Sequence, residues 1–154
     1  MAIFDVSDVE NPIELHKIVI GDRGTDSYAL YDHKAFLYDK EKELLILPIT
    51  LAEISQEAKD SSEAERRNWP EYGEYVFQGA FVFDVTLEDG FVERGRITHV
   101  TKEDELKRGY YFDDSYSVKR SLYIGDVLYT LSNNMLKANN LESLVELKEF
   151  IFGA

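Results

Sequence analysis

One short segment occurs three times along this chain, and this recurrence constrains the fold more than any other feature. FDVS at residues 4–7 returns 79 residues later as FDVT at residues 83–86. A third copy, MLKANNLESLVELKEFIF at residues 135–152, aligns without gaps on residues 3–20. Internal repetition of this kind is typical of architectures that stack one supersecondary unit several times.

Each copy is predicted to form two β-strands joined by a turn. An apolar run such as AFVFDV comes first, a polar turn such as LEDG follows, and a second run with alternating apolar residues ends the copy. Another predicted hairpin precedes the second and third copies. Its strands lie around residues 35–38 and 44–49, and around residues 121–124 and 127–131, with Gly125-Asp126 as the turn of the second pair.

If the strands of this earlier hairpin are named a and b, and those of the repeated hairpin c and d, the chain reads c-d, a-b-c-d, a-b-c-d. Tandem four-stranded antiparallel units are typical of a β-propeller. We therefore predict an all-β fold: a partial β-propeller of about two and a half blades, with one partly helical insertion. The half blade covers residues 1–20, and the full blades cover residues 33–100, with the insertion at 51–75, and 119–152. A β-sandwich or open barrel is the alternative.

Three strings extend this interpretation to a family: DRGTDSYALYDHKAFLYDKEKELLILPIT, QGAFVFDVTLEDGFVERGRITH and KRSLYIGDVLYTLSNNMLKANNLESL. Together they resemble the C-terminal β-propeller domain family of secreted archaeal and bacterial proteins, which is distantly WD40-like. The resemblance implies a propeller fold, a secreted or cell-surface location and a mostly uncharacterised function. It implies no catalytic motif.

The number of predicted blades raises an expectation about the intact protein. Propellers typically close with four to eight blades, and an unclosed unit leaves strand edges exposed. We expect a single propeller-type domain that is a C-terminal fragment of a longer chain and that can dimerise through its blade edges. A native short protein that assembles from several chains is the alternative.

Composition excludes several classes of partner and site. The net charge of −13 argues against nucleic acid and against an anionic membrane surface. The chain has no Cys, so it has no disulfides and no thiolate metal sites. No apolar run is long enough for membrane insertion, and residues 1–10 do not resemble a signal peptide.

The predicted strand order assigns the loops to two ends of the sheets. Strands a and c run one way and b and d the other, so the a–b and c–d turns share one end, and the b–c and d–a connections share the opposite end. The first set is short. The second set is mostly long, at residues 21–32, 51–75 and 101–118. Loops on a rigid scaffold usually carry binding residues.

These long loops hold seven of the ten Tyr and the single Trp. Exposed Tyr and Trp are frequent anchors at interfaces. The alternative is that many of them pack down and seal the loops, and Tyr75 is also compatible with strand c. The ligand-binding candidates on these loops are Arg23, Tyr28, Trp69, Tyr72, Tyr110 and Tyr111.

Other polar features support weaker hypotheses. Residues 51–68 favour a helix, which Pro70 would end. Adjacent Asp113 and Asp114 are weak Ca²⁺ candidates, because neighbours in an extended segment point opposite ways. His33 and His99 could meet a metal with Asp32, although no zinc-type spacing is present.

The recurrent aspartates, Asp5 and Asp84, share one column with Lys137. Recurrence argues for structure, so these aspartates are predicted to accept hydrogen bonds from backbone N–H groups in the turn after strand c.

No phosphate-binding loop, GxSxG motif or Ser/Lys pair is present, so no cofactor and no catalytic residue are predicted. The leading hypothesis is a non-enzymatic binding scaffold that takes a protein or glycan partner on the long loops. Whether the chain is an enzyme stays open, with a hydrolase acting on saccharide or peptide as one alternative. A purely structural module is another.

Overall fold

The computed structural model of the chain describes residues 1–60, 72–102 and 110–152. Ten strands lie in these residues: β1 (Ala2–Asp5), β2 (Ile13–Lys17), β3 (Leu37–Asp39), β4 (Leu44–Glu53), β5 (Glu74–Thr86), β6 (Gly90–Ile97), β7 (Arg120–Ile124), β8 (Val127–Leu131), β9 (Met135–Asn140) and β10 (Glu146–Ile151). Among the described residues of the connections lie the short helix α1 (Gln56–Lys59) and 3₁₀ turns at Tyr28–Leu30, His33–Ala35 and Asp114–Tyr116.

The strands form three antiparallel sheets in which sequence neighbours are spatial neighbours. We name them the half-sheet (β1–β2), the central sheet (β3–β6) and the last sheet (β7–β10). The predicted fold class, an open part of a propeller with two and a half four-stranded units, is confirmed. Within the described ranges no helix has the length and apolar character needed to cross a bilayer.

The central sheet is buried on both faces, which explains why β4 is almost continuously apolar. Side chains alternate across a strand, so β4 supplies two different packing surfaces. Leu44 and Ile46 pack with Leu128 and Val118 of the last sheet and its entry loop. The alternate residues of β4 face the half-sheet. With two phenylalanines of β5 they form a second cluster: Leu45, Leu47, Ile49, Leu51, Phe81 and Phe83.

The c–d hairpin carries a β-bulge at the same place in all three copies. Strand d holds one extra, unpaired residue in each copy: Leu15, Arg94 and Leu147. The glutamate just before this residue pairs with Phe4 in the first copy, with Phe83 in the second and with Asn139 in the third. A shared irregularity of this kind supports a true structural repeat.

This register corrects the alignment of the third copy. The ungapped alignment placed Lys137 in the column of Asp5 and Asp84, whereas the structure places Asn140 there. The reason is that the c–d turn of the third copy is three residues shorter. The position therefore holds an aspartate or an asparagine in every copy. The positively charged Lys137 does not belong to it.

The predicted role of this column is confirmed for Asp5 and wrong for Asp84. Asp5 accepts a hydrogen bond from the Ser7 N–H at 2.8 Å, and this bond lowers the pKa of the Asp5 carboxyl. Asn140 makes the same kind of turn bond to the Ser143 N–H at 2.8 Å. Asp84 instead pairs with Arg94, because the bulge residue of the second copy is an arginine that reaches it.

The predicted helix at residues 51–68 is also corrected in part. Leu51 and Ala52 continue β4 and pair with β5, because both side chains are buried in the central sheet. The helix that is present, α1, starts after Ser55, whose Oγ accepts from the Ala58 N–H. Residues 61–68 of that prediction lie outside the described residues.

Candidate functional site

Three long connections leave the same end of the sheets, at residues 18–36, 54–73 and 98–119, beside the short turn between β8 and β9. We call this end the loop face, and we call its connections the first, second and third loops. The opposite end carries the turns between β3 and β4, β5 and β6, and β7 and β8. The arrangement follows from antiparallel pairing in chain order, as the sequence predicted.

The first and second loops are joined through neighbouring residues of the first loop. The Asp22 N–H donates to the Ala52 carbonyl at 2.8 Å, and the Arg23 carbonyl accepts from the Gly73 N–H at 2.8 Å. The Arg23 guanidinium lies 4.1 Å from the centre of the Tyr72 ring and donates to the Tyr72 hydroxyl at 3.2 Å. A cation at this distance from an aromatic face is attracted to its π-electrons.

Asp22 anchors this junction with its side chain as well. Its carboxylate pairs with Lys59 at 2.8 Å and accepts from the Ile54 N–H at 2.8 Å. The Lys59 hydrogen bond, then the Ile54 bond, hold the pKa of Asp22 below its ordinary value. These bonds fix the backbone next to Arg23 and Tyr72.

The first and third loops are joined by a second pair of a cation and an aromatic ring. Lys119 lies with its Nζ 4.4 Å from the centre of the Tyr28 ring. The same ammonium donates to Asp114 at 2.8 Å. Tyr28 begins the 3₁₀ turn that Ser27 caps, and the Ser27 hydroxyl also donates to the Pro48 carbonyl of β4 at 2.6 Å.

The start of β5, just after the second loop, meets the third loop through Tyr75 and Tyr111. Their ring centres are 5.7 Å apart and the rings are tilted by 46°. Tyr75 lies in β5, so its interpretation as a strand residue is confirmed. Tyr111 stays exposed on its other side, and Tyr110 beside it is 89% exposed.

A small cavity of about 20 Å³ lies behind these contacts, lined by Tyr28, Thr50, Gln78 and Ser117 among others. Gln78 is only 5% exposed, and its side-chain oxygen has no hydrogen-bond partner among the described residues. The space suffices for one water molecule. A buried acceptor without a partner favours a bound water or the donor group of a ligand there.

The structure therefore brings several of the candidates into pairs. Arg23 lies with Tyr72, Tyr28 with Lys119, and Tyr111 with Tyr75. Trp69 lies outside the described residues. Sequence reasoning missed Lys119 and Gln78. Gly79, next to Gln78, has no side chain, which allows the Ile97 carbonyl to approach the backbone closely.

The acidic candidates have structural partners. Asp113 accepts from the Ser115 N–H at 2.8 Å and begins a 3₁₀ turn. Asp114 pairs with Lys119, and Asp32 pairs with Arg120 at 2.7 Å. In the part of the chain that the structure describes, no three His, Cys, Asp or Glu side chains come together as a metal site. Calcium at Asp113 and Asp114 stays a prediction.

His99 joins the central sheet to the last sheet. Its ring is fully buried, with Nδ1 2.9 Å from the Ser132 Oγ and Nε2 2.8 Å from the Thr130 Oγ1. Burial lowers the pKa of His99 to about 4, and the nearby charge of Lys137 acts in the same direction. The ring is neutral near pH 7 and acts as a structural clamp.

Comparison with known proteins agrees with this geometry. A family model described as "Beta propeller domain" matches residues 1–144, which is nearly the whole chain. Neither the curated proteins nor the solved structures include a significant match. With its repeated four-stranded antiparallel units, the chain belongs to the β-propeller domain family.

Proposed function

We propose that this domain is a non-enzymatic interaction scaffold that binds a protein partner on the loop face. Membership of the β-propeller family supports an interaction scaffold in general. One observation on the chain carries the finer proposal: Tyr72 and Tyr28, on the long loops, pair with the cations Arg23 and Lys119, and Tyr111 of the third loop pairs with Tyr75 at the start of β5.

The chemistry of the loop face suits recognition. Tyr72 and Tyr110 present large amphipathic rings with only two side-chain torsions each, so immobilising them on binding costs little entropy. The ordered base beneath them limits the reorganisation that binding requires.

The setting that we propose is the cell surface or the secreted space, by resemblance to the secreted members of the family. A glycan partner is the alternative occupant of the same face, since stacked tyrosines also suit sugar rings. Dimerisation through blade edges is compatible with either partner, because it uses a different surface.

Site-specific photo-crosslinking tests this proposal. Benzoylphenylalanine at position 110, on the loop face, is compared with the same residue at position 87, in the turn at the opposite end. The two positions are similarly exposed, at 89% and 77%. In cells that express the chain, we expect a discrete protein adduct from position 110 and none from position 87.

A binding variant makes the test quantitative. Tyr72→Ala combined with Tyr110→Ala should weaken binding of the captured partner by at least about tenfold, as expected for aromatic anchors. Tyr38→Ala, at an exposed tyrosine outside the loop face, is the control. Unchanged affinity in the double variant would rule out the aromatic loop face. Adducts from position 110 that contain only polysaccharide would replace the protein partner with a glycan.

A further inference from the structure

The small cavity behind the loop face lies where separate segments of the chain meet. Its wall includes residues of β4 and β5, Tyr28 of the first loop, and Ser117 and Val118 of the third loop. Thr50 and Gln78 are paired across β4 and β5, so their side chains lie on the same face of the central sheet. Val118 belongs to the apolar cluster between the central and last sheets. The cavity therefore lies between that cluster and the loops.

Gln78 brings an unpaired polar group to this cavity. Its backbone is engaged, because it pairs with Thr50 within the sheet and its carbonyl accepts from the Thr98 hydroxyl at 2.7 Å. Its side-chain oxygen is buried and has no hydrogen-bond partner among the described residues. Native proteins pair most such groups with protein or with ordered water. Thr50 and Ser117, which also line the cavity, carry hydroxyls that can both donate and accept.

The size and the charge of the cavity decide what it holds. Its volume of about 20 Å³ has room for one water molecule, whereas a partner's side chain or an organic ligand needs more space. No carboxylate is among its lining residues in the described part of the chain. A metal ion would therefore lack a charged ligand, and the Lys119 ammonium lies close by, 4.4 Å from the centre of the Tyr28 ring. These observations favour water over a cation and over a ligand group.

We propose that this cavity is a binding site for one long-lived water molecule. The water donates a hydrogen bond to the Gln78 side-chain oxygen, and Thr50 and Ser117 offer the further bonds that a buried water needs. A water that bridges protein groups holds them nearly as well as a direct hydrogen bond. It therefore joins β5 to the third loop just before Lys119 and supports the contact of Lys119 with Tyr28. This role does not depend on a partner at the loop face.

The first test counts internal water in solution by magnetic relaxation dispersion of ¹⁷O. The unmodified chain is compared with Gln78→Met, which keeps an unbranched side chain but removes the acceptor. We expect the variant to lose the contribution of one long-lived water. Gln56→Met is the matched control, because Gln56 is an exposed residue of α1, and the count should stay the same in that variant. An equal count in Gln78→Met and in the unmodified chain would overturn the proposal.

The second test is a crystal structure of the unmodified chain, which does not require any variant to fold. The expected result is one water oxygen within hydrogen-bonding distance of the Gln78 side chain and of the Thr50 or Ser117 hydroxyl. An empty cavity, or a Gln78 side chain turned onto another protein group, would overturn the proposal. Anomalous scattering at the site after soaking in rubidium chloride would assign a monovalent cation instead and overturn it as well.

The third test asks whether the water supports the contact between the loops. The face of an aromatic ring shifts the NMR signals of protons above it, so the Lys119 ε-methylene protons report their contact with Tyr28. In Gln78→Met these signals should move towards the values of an unstructured lysine, and in Gln56→Met they should stay in place. Unchanged Lys119 signals in a Gln78→Met chain that has lost the water would overturn the proposed support of this contact.

Discussion

The two contacts between sheets in this molecule use the same repeat but differ in how completely they are closed. Between the central and last sheets, Ile97 is buried in a continuous cluster and His99 is clamped by two hydroxyls. Between the half-sheet and the central sheet, the equivalent residue Ile18 is only partly buried beside an open groove. The difference follows the number of strands, because the half-sheet has two strands in the described residues and the last sheet has four.

Polar contacts follow the same division. The closed contact is crossed by the Arg94 guanidinium, which donates to the Leu141 carbonyl at 2.9 Å, and by the Tyr123 hydroxyl, which donates to Asp39. Across the open contact, His16 bonds the Leu87 carbonyl at 2.9 Å. Bonds that cross a well-packed contact are held in place by the packing, so they should contribute more to stability.

The largest expected effect compares the same substitution on the two sides. Ile97→Ala should lower the free energy of unfolding by about 2–5 kcal/mol, because it leaves a cavity in a closed core. Ile18→Ala should cost roughly 1 kcal/mol, because its site is already open to solvent. Urea denaturation of both variants measures the difference. Equal losses would contradict the contrast between the two contacts.

The second prediction concerns pH and the clamp at the closed contact. Unfolded His99 takes up a proton near pH 6.5, whereas the folded chain resists it until about pH 4. Stability should therefore fall as pH drops through this window, by about 3 kcal/mol in total. His99→Gln should remove this part of the pH dependence. The carboxylates titrate in both proteins, so the difference between the two denaturation series isolates His99.

A smaller effect is expected at the bulge. Arg94→Met keeps an unbranched, largely apolar side chain but removes the guanidinium and with it the bonds to Asp84 and to the Leu141 carbonyl. The expected loss is about 1–2 kcal/mol, the usual range for a hydrogen bond to a charged group. The matched change, Leu15→Met at the bulge of the half-sheet, should be close to neutral. A loss for Arg94→Met no larger than that for Leu15→Met would show that this arginine does not fasten the sheets.

The smallest effect is expected at the exposed pair between Asp22 and Lys59. Lys59→Met should raise the pKa of the Asp22 carboxyl towards its ordinary value, since Lys59 is the main cause of its depression. The stabilisation from this carboxyl is present above its unfolded pKa and is lost as pH falls through its folded pKa. NMR titration of Asp22 measures the shift, and an unchanged pKa would show that the pair does not form in solution.

Much of the fold could be predicted because packing repeats with the sequence. The recurrence of Phe4 as Phe83 and of Ile18 as Ile97 was enough to predict the repeated hairpin. The order of the hairpins along the chain could be predicted as well. The register of the third copy was not, because a turn shortened by three residues is invisible to an alignment without gaps. The prediction for Asp84 was wrong because its partner is Arg94. Arg94 reaches Asp84 from the extra position of the β-bulge, and the sequence alone does not reveal that bulge.

The candidate site was predictable in its location but not in its pairs. Strand direction alone placed the long loops at one end. Which cation meets which ring depends on how the loops fold back, as when Asp22 fastens to the end of β4 and so brings Arg23 to Tyr72. Nothing local in the sequence encodes such contacts between segments 49 residues apart.

Native-state hydrogen exchange at Ile18 and Ile97 tests the central claim, that the chain is a closed pair of sheets carrying an incomplete third. The two amides occupy equivalent positions, since Ile18 bonds Met1 and Ile97 pairs with Ala80. We expect Ile97 to exchange only through global unfolding and Ile18 to exchange through a local opening that costs several kcal/mol less. Equal protection of both amides, with the same dependence on denaturant, would contradict this account.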